Sequence, residues 1–180
     1  MRDEAPGAGR VPEIEFIADD VPALGYKTFY LVEGPAPDLK ALPDEEPEIE
    51  NEFYRLRLAP GGVAGLFDKE LRREVLDTGK FLGFEVFTMR SVGSGAGEFG
   101  RVQQPTMEGF DKLSRHKPSW HKVTSESGPV KTVLRLEQPM PDCTVRQRLI
   151  IYNAIKRIDC EIELLGFDGR PYREYRLAVP

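Results

Sequence analysis

Apolar and polar residues alternate with a period of two along most of this chain, and that period belongs to β-strands. Residues 13–18 form the first short run, stopped by Asp19-Asp20. In residues 25–33, Tyr26, Thr28, Tyr30 and Val32 oppose Lys27, Phe29 and Leu31, which predicts a second strand. Tyr54, Leu56 and Leu58 alternate with Phe53, Arg55 and Arg57. Pro60-Gly61-Gly62 then turns the chain and residues 63–67 return, a hairpin signature. Further strands are predicted over 81–90, 129–137, 144–152, 157–165 and 172–180. In 157–165, Ile158, Cys160, Ile162 and Leu164 oppose Asp159, Glu161 and Glu163, as in a strand with one wet face. In the last run, Tyr175, Leu177 and Val179 share one face and Glu174 and Arg176 the other.

Helical periodicity is weak. Residues 71–79 come nearest to a 3.6 repeat and are short, and 107–116 admit one or two helical turns. Many strands, regular turns and no long helix predict an all-β fold, an antiparallel β-sandwich. The expected organisation is an N-terminal strand segment (1–34), a Pro-rich acidic loop or linker (35–48), and a β-sandwich domain (49–180). The last strand pattern ends with no turn or polar tail after it, so the sandwich is expected to be truncated at its C-terminus. Exposed edge strands can pair with a second copy, and a homodimer is expected by that route.

Charge narrows the partners. The formal net charge is -5, and an acidic balance lacks the basic stripe that nucleic-acid binding uses. No apolar run reaches the roughly 18 residues of a membrane helix. The N-terminus MRDEAPGAGR has no apolar core of a secretory signal. Cys143 and Cys160 flank a hairpin expected to turn at Asn153 and Ala154. That turn sets Cys143 opposite Leu164 and Cys160 opposite Gln147, too far apart for a disulfide. Both read as reduced core cysteines, which fits a cytoplasmic location.

Reactive motifs are scarce. GAGEFGRV (residues 95–102) fits the phosphate-loop pattern of kinases and contains a dinucleotide fingerprint. The chain offers no kinase lysine, catalytic loop or D-F-G, and Gln103, Gln104 and Pro105 make a poor helix after the glycines. A glycine-rich β-loop is the expectation. His116 and His121 sit in SRHKPSWHK beside Trp120. Their spacing of five around Pro118 does not place both on one helix face, and too few ligands stand nearby for a metal. These three residues are the candidate sugar-contact site, the tryptophan by stacking and the histidines by hydrogen bonding or acid/base action. A surface loop is their plain structural reading. Asp68, Glu85, Glu98, Glu126 and Asp168 qualify as glycosidase carboxylates only because a chain with 30 acids always offers pairs. No catalytic residue and no metal site is assigned.

Four segments, VPALGYKTF (21–29), IENEFYRLRLAPGGVAGLFDKELRRE (49–74), SESGPVKTVL (125–134) and RPYREYRLAVP (170–180), taken in order, carry a likeness. The chain resembles the β-rich C-terminal region of glycoside hydrolase family 38 α-mannosidases, with Val179 where the family usually has Phe. The resemblance implies a fragment of a galactose-mutarotase-like supersandwich. It implies a retaining parent enzyme whose nucleophilic Asp and zinc ligands lie in an N-terminal catalytic domain outside this chain. An aromatic that some members place near the sugar falls in a stretch similar to Ser94-Gly95-Ala96-Gly97, with glycine where tyrosine would sit. The expected function is that of a non-catalytic segment packing against and shaping that missing catalytic domain, with carbohydrate as a further partner. The alternatives are a free-standing carbohydrate-binding module and a small mutarotase-like enzyme using His116 or His121 with a carboxylate.

Overall fold

The computed structural model describes residues 14–35, 40–41, 48–90, 108–116, 124–169 and 173–180. The chain divides into two compact units, Met1–Ala36 and Pro37–Pro180. Every described strand belongs to the second. They are β1 (Lys40–Ala41), β2 (Glu48–Glu50), β3 (Tyr54–Ala59), β4 (Gly62–Asp68), β5 (Arg73–Glu74), β6 (Glu85–Arg90), β7 (Asp111–Lys112), β8 (Thr124–Ser127), β9 (Lys131–Met140), β10 (Cys143–Tyr152), β11 (Ile158–Leu165) and β12 (Arg173–Ala178). One 3-10 turn spans Leu113–Arg115. All pairings are antiparallel.

The strands form a five-stranded sheet (β1-β8-β9-β10-β11), a four-stranded sheet (β2-β3-β4-β5) and a three-stranded sheet (β12-β6-β7). Two apolar clusters show how they stack. Leu134, Leu149 and Ile151 from the large sheet pack with Ile49, Leu56, Leu58, Val63 and Leu66 from the four-stranded sheet. Met140, Cys143 and Val145 pack with Val86 and Leu113. The large sheet is thus one layer, and the two smaller sheets lie side by side as the other. A bridge between Val63 and Gly83 stitches those two together. This is the all-β, antiparallel sandwich that the alternation predicted.

Turn chemistry fixes the β3–β4 hairpin. Gly61 has φ 104, a left-handed value that a side chain resists, and a Cβ there would lie 2.8 Å from the Ser114 amide nitrogen. A Cβ on Gly62 would meet the Gly83 carbonyl at 2.5 Å, so glycine permits the close approach of the two small sheets.

The structure corrects several element boundaries. Residues 14–18 and 25–33 form no strand; among the described residues no strand pairs with them to supply ladder hydrogen bonds. The 81–90 run enters its strand only at Glu85, since Phe84 adopts φ 58. That turn is held from both sides: the Phe84 amide donates to Ala178 O at 2.8 Å, and its carbonyl accepts from Gln147 Nε2 at 2.6 Å. As the weak helical period implied, residues 71–79 form no helix; they hold β5 and turns, with Arg72 at φ 54. The β10–β11 register pairs Leu149 with Cys160 and Val145 with Leu164, two residues away from the expected alignment. A slip of two keeps every side chain on its face, and both cysteines are free. In β12 the face is mixed, since Tyr175 packs into the second cluster while Leu177 and Val179 are exposed and Ala178 is buried. The glycine-rich 95–102 motif lies outside the described residues.

Candidate functional site

Of the three residues singled out for sugar contact, His116 is described; Trp120 and His121 lie outside the described residues. His116 closes the corner that follows β7. Its amide donates to Leu113 O at 3.1 Å, which ends the 3-10 turn. Leu113 is fully buried and pins the corner to the core. Its neighbour Ser114 donates its backbone N–H to Glu85 Oε1 at 2.9 Å. Glu85 is also fully buried. Its second oxygen accepts the Leu82 amide at 2.9 Å, and Lys112 Nζ stands 3.9 Å from it. This carboxylate therefore serves loop backbone and one cation.

His116 Nε2 donates to Asp111 Oδ2 at 2.6 Å. Asp111 is itself oriented by the Lys112 amide, 2.8 Å from Oδ1. In the neutral ring this bond leaves Nδ1 as the basic nitrogen. Both side chains are part-exposed. Beside them, Phe81, Phe87 and Phe110 form an aromatic cluster with centroids 4.8 to 6.1 Å apart. Arg115 lies over the Phe110 ring at 4.9 Å, and Lys80 and Lys112 approach Phe81. The corner thus joins an oriented imidazole to apolar rings and cations, groups that suit polar ligands with an apolar face.

A second polar centre lies at the β2–β3 and β10–β11 ends. Asn51 Oδ1 accepts the Phe53 and Tyr54 amides at 2.9 and 2.7 Å, while Nδ2 donates to Tyr152 O at 2.8 Å. Asp68, nearly buried, accepts the Glu70 and Leu71 amides and pairs with Lys156 at 3.0 Å. The backbone N–H of Leu71, aided by Lys156, holds the Asp68 carboxyl below its usual range. Lys69 reaches Asn51 O at 2.5 Å and Glu50 at 2.7 Å. The sequence names Asp68 only as one acid among many and gives no role to Asn51, Lys69 or Lys156, although ENEFY and FDKE hold the first three of these. The signal was Asn and Asp placed two and three residues before amides that need acceptors.

The outer face of the large sheet carries a third polar group. Arg146 bonds Glu137 at 2.6 Å and Glu163 at 2.9 Å, and Arg148 bonds Glu161 at 2.8 Å. These residues line a shallow groove of about 460 Å³. Of the acids considered as glycosidase carboxylates, Asp68 and Glu85 thus hold loops, and Glu98 lies outside the described residues. Among the described residues, no group of three His, Cys, Asp or Glu could hold a metal ion.

What the fold defines is an antiparallel, all-β sandwich with core-facing alternation. The family it belongs to is more specific: the profile of the glycosyl hydrolases family 38 C-terminal domain matches residues 49–170. The chain belongs to that family. The match runs from β2 through β11 and covers both apolar clusters except Tyr175. Among curated proteins, nothing matches.

Proposed function

We propose that this chain is the non-catalytic β-sandwich portion of an α-mannosidase-like retaining glycoside hydrolase, packing against a separate catalytic domain and shaping its mannoside site. The family match over residues 49–170 carries the reading. The commitment of Asp68 and Glu85 to backbone amides supports it, because acids tied to loops are poorly placed to exchange protons with a substrate. In this reading zinc and the nucleophile belong to the catalytic domain, with a covalent glycosyl-enzyme on its pathway. The setting is cytoplasmic. The test is turnover of an aryl α-mannoside by the purified chain. The expected result is none, with or without added zinc; chelator-resistant hydrolysis would contradict the proposal.

A second reading has the chain bind carbohydrate itself. The His116–Asp111 pair favours it, and the reading takes Trp120 and His121 as further sugar contacts. Titration with oligomannose should then change tryptophan fluorescence, the chain's single Trp being Trp120. An unchanged spectrum at millimolar sugar counts against this reading.

A further inference from the structure

The inner face of the large sheet is apolar toward both ends and polar in the middle. Along β10, Leu149 and Ile151 belong to the first apolar cluster, and Cys143 and Val145 to the second. Gln147 lies between them, on the same face by the alternation of a strand. Along β9, Leu134 and Met140 belong to the same two clusters, with Gln138 between them on that face. The register sets Gln138 opposite Val145 and Gln147 opposite Leu136. The two glutamines are thus diagonal neighbours, roughly 7–8 Å apart along the backbone. Gln138 is 4% exposed and Gln147 1%.

Hydrogen-bond accounting singles this pair out. Gln147 Nε2 donates to Phe84 O at 2.6 Å. Gln147 Oε1 meets no donor, and Gln138 meets a partner at neither Oε1 nor Nε2. Water satisfies each of these atoms in the unfolded chain, so burying them without a substitute is costly. Folded proteins satisfy nearly all such atoms, with protein groups or with ordered water. Glu85, the fully buried carboxylate of β6, does not serve here, because its oxygens accept the Ser114 and Leu82 amides.

The chemistry of the three atoms selects the ligand. They offer two N–H donors at Gln138 Nε2 and carbonyl lone pairs at both Oε1 atoms, and no charge. A cation would leave the donors unmet, and an anion the acceptors. Water both accepts and donates, and an internal water takes two to four such partners. All three atoms are closed to solvent, so the ligand is one small enough to enter through local openings. The pair also sits where its orientation matters. Phe84 adopts φ 58 and its amide donates to Ala178 O. The adjoining Gly83 bridges to Val63 across the two small sheets. The Gln147 amide must therefore turn its nitrogen toward Phe84 O and its oxygen away. A donor on Oε1 fixes that orientation and polarises the Nε2 bond.

We propose that Gln138 and Gln147 bind an internal water between the two apolar clusters. It accepts from Gln138 Nε2, donates to Gln147 Oε1, and so locks the Gln147 amide onto the Phe84 turn. The inference is independent of the family role. Water NMR of the full chain tests it. The native chain should show a cross-peak between water and the Gln138 side-chain amide, with the sign of a bound water. Gln138→Met keeps the volume and removes the polar atoms. It should lower the water-oxygen magnetic relaxation dispersion by the amplitude of a single long-lived water and leave the far-UV circular dichroism unchanged. Hydrogen exchange of the Phe84 amide should become faster while that of Leu149 keeps its rate, a local loosening that a general loss of packing would not give. Where the variant does not fold, the native cross-peak decides alone. Absence of that cross-peak overturns the proposal. So does an unchanged dispersion in folded Gln138→Met, an unchanged Phe84 rate, or a crystal structure in which the two amides bond each other directly.

Discussion

Residues 26–32 and strand β10 share one pattern and meet opposite fates. In β10, Val145, Gln147, Leu149 and Ile151 point into the sandwich and are at most 1% exposed. In 26–32, Tyr26, Tyr30 and Val32 alternate as regularly, yet each is more than four-fifths exposed. The difference lies in neighbours. β10 is hydrogen-bonded along its length to β9 on one side and β11 on the other, and the second layer covers its inner face. Residues 25–33 have no such strand partners among the described residues. Alternation decides which side chains share a face; pairing decides whether that face is buried.

The sharpest way to break this contrast is a matched pair of truncations. Leu56→Ala, at a fully buried site, should cost about 3 kcal/mol by transfer and cavity effects. Leu24→Ala, at an exposed site, should change monomer stability by less than about 0.5 kcal/mol. Urea unfolding in dilute solution measures both; similar losses would erase the distinction.

A smaller effect sharpens the account of the sandwich end. Asn51→Ala removes the acceptor for two amides and the donor to Tyr152 O, and should lower stability by about 1–2 kcal/mol. Asn51→Asp keeps the acceptor and loses the donor, so it should fall between the two.

Acid tests the neighbouring Asp68. Its carboxyl titrates below the usual range, chiefly because the Leu71 amide and then Lys156 favour the charged form. A depressed native value means that the unfolded chain takes up the proton first. Its contribution is therefore complete above the unfolded pKa of about 4 and lost as pH falls through the native value. Asp68→Asn should flatten that part of the stability–pH curve and leave its neutral-to-basic slope alone. An unchanged acid limb would remove Asp68 from the loop lock.

The least disruptive probe is thiol chemistry. Burial pushes the Cys160 pKa up to about 11 and raises that of Cys143. Thiolate is the reactive form, so both cysteines should resist alkylation at pH 8 until denaturant is added. Rapid labelling of the native chain would show that the sandwich opens more readily than its packing implies.

Much of the sandwich was legible in the sequence. The 54–67 hairpin and the three strands from 131 to 165 follow from period-two patterning, turn residues and length. Their register was less legible, because the turn after Tyr152 carries the chain to Arg157 before β11 pairs. The break before Glu85 was hidden as well. It depends on Phe84 being held left-handed by Ala178 and Gln147, contacts distant in sequence. The candidate site was legible in part: His116 and Asp111 are five apart and meet, but the Phe81–Phe87–Phe110 cluster beside them assembles across β6 and β7 and carries no local signature.

Hydrogen exchange on dilute full-length chain tests the central contrast in one sample. The account predicts that amides of β9 and β10 exchange only through global opening, while those of residues 26–33 exchange at nearly unprotected rates. Protection of residues 26–33 in the dilute monomer to the level of β10 would contradict it.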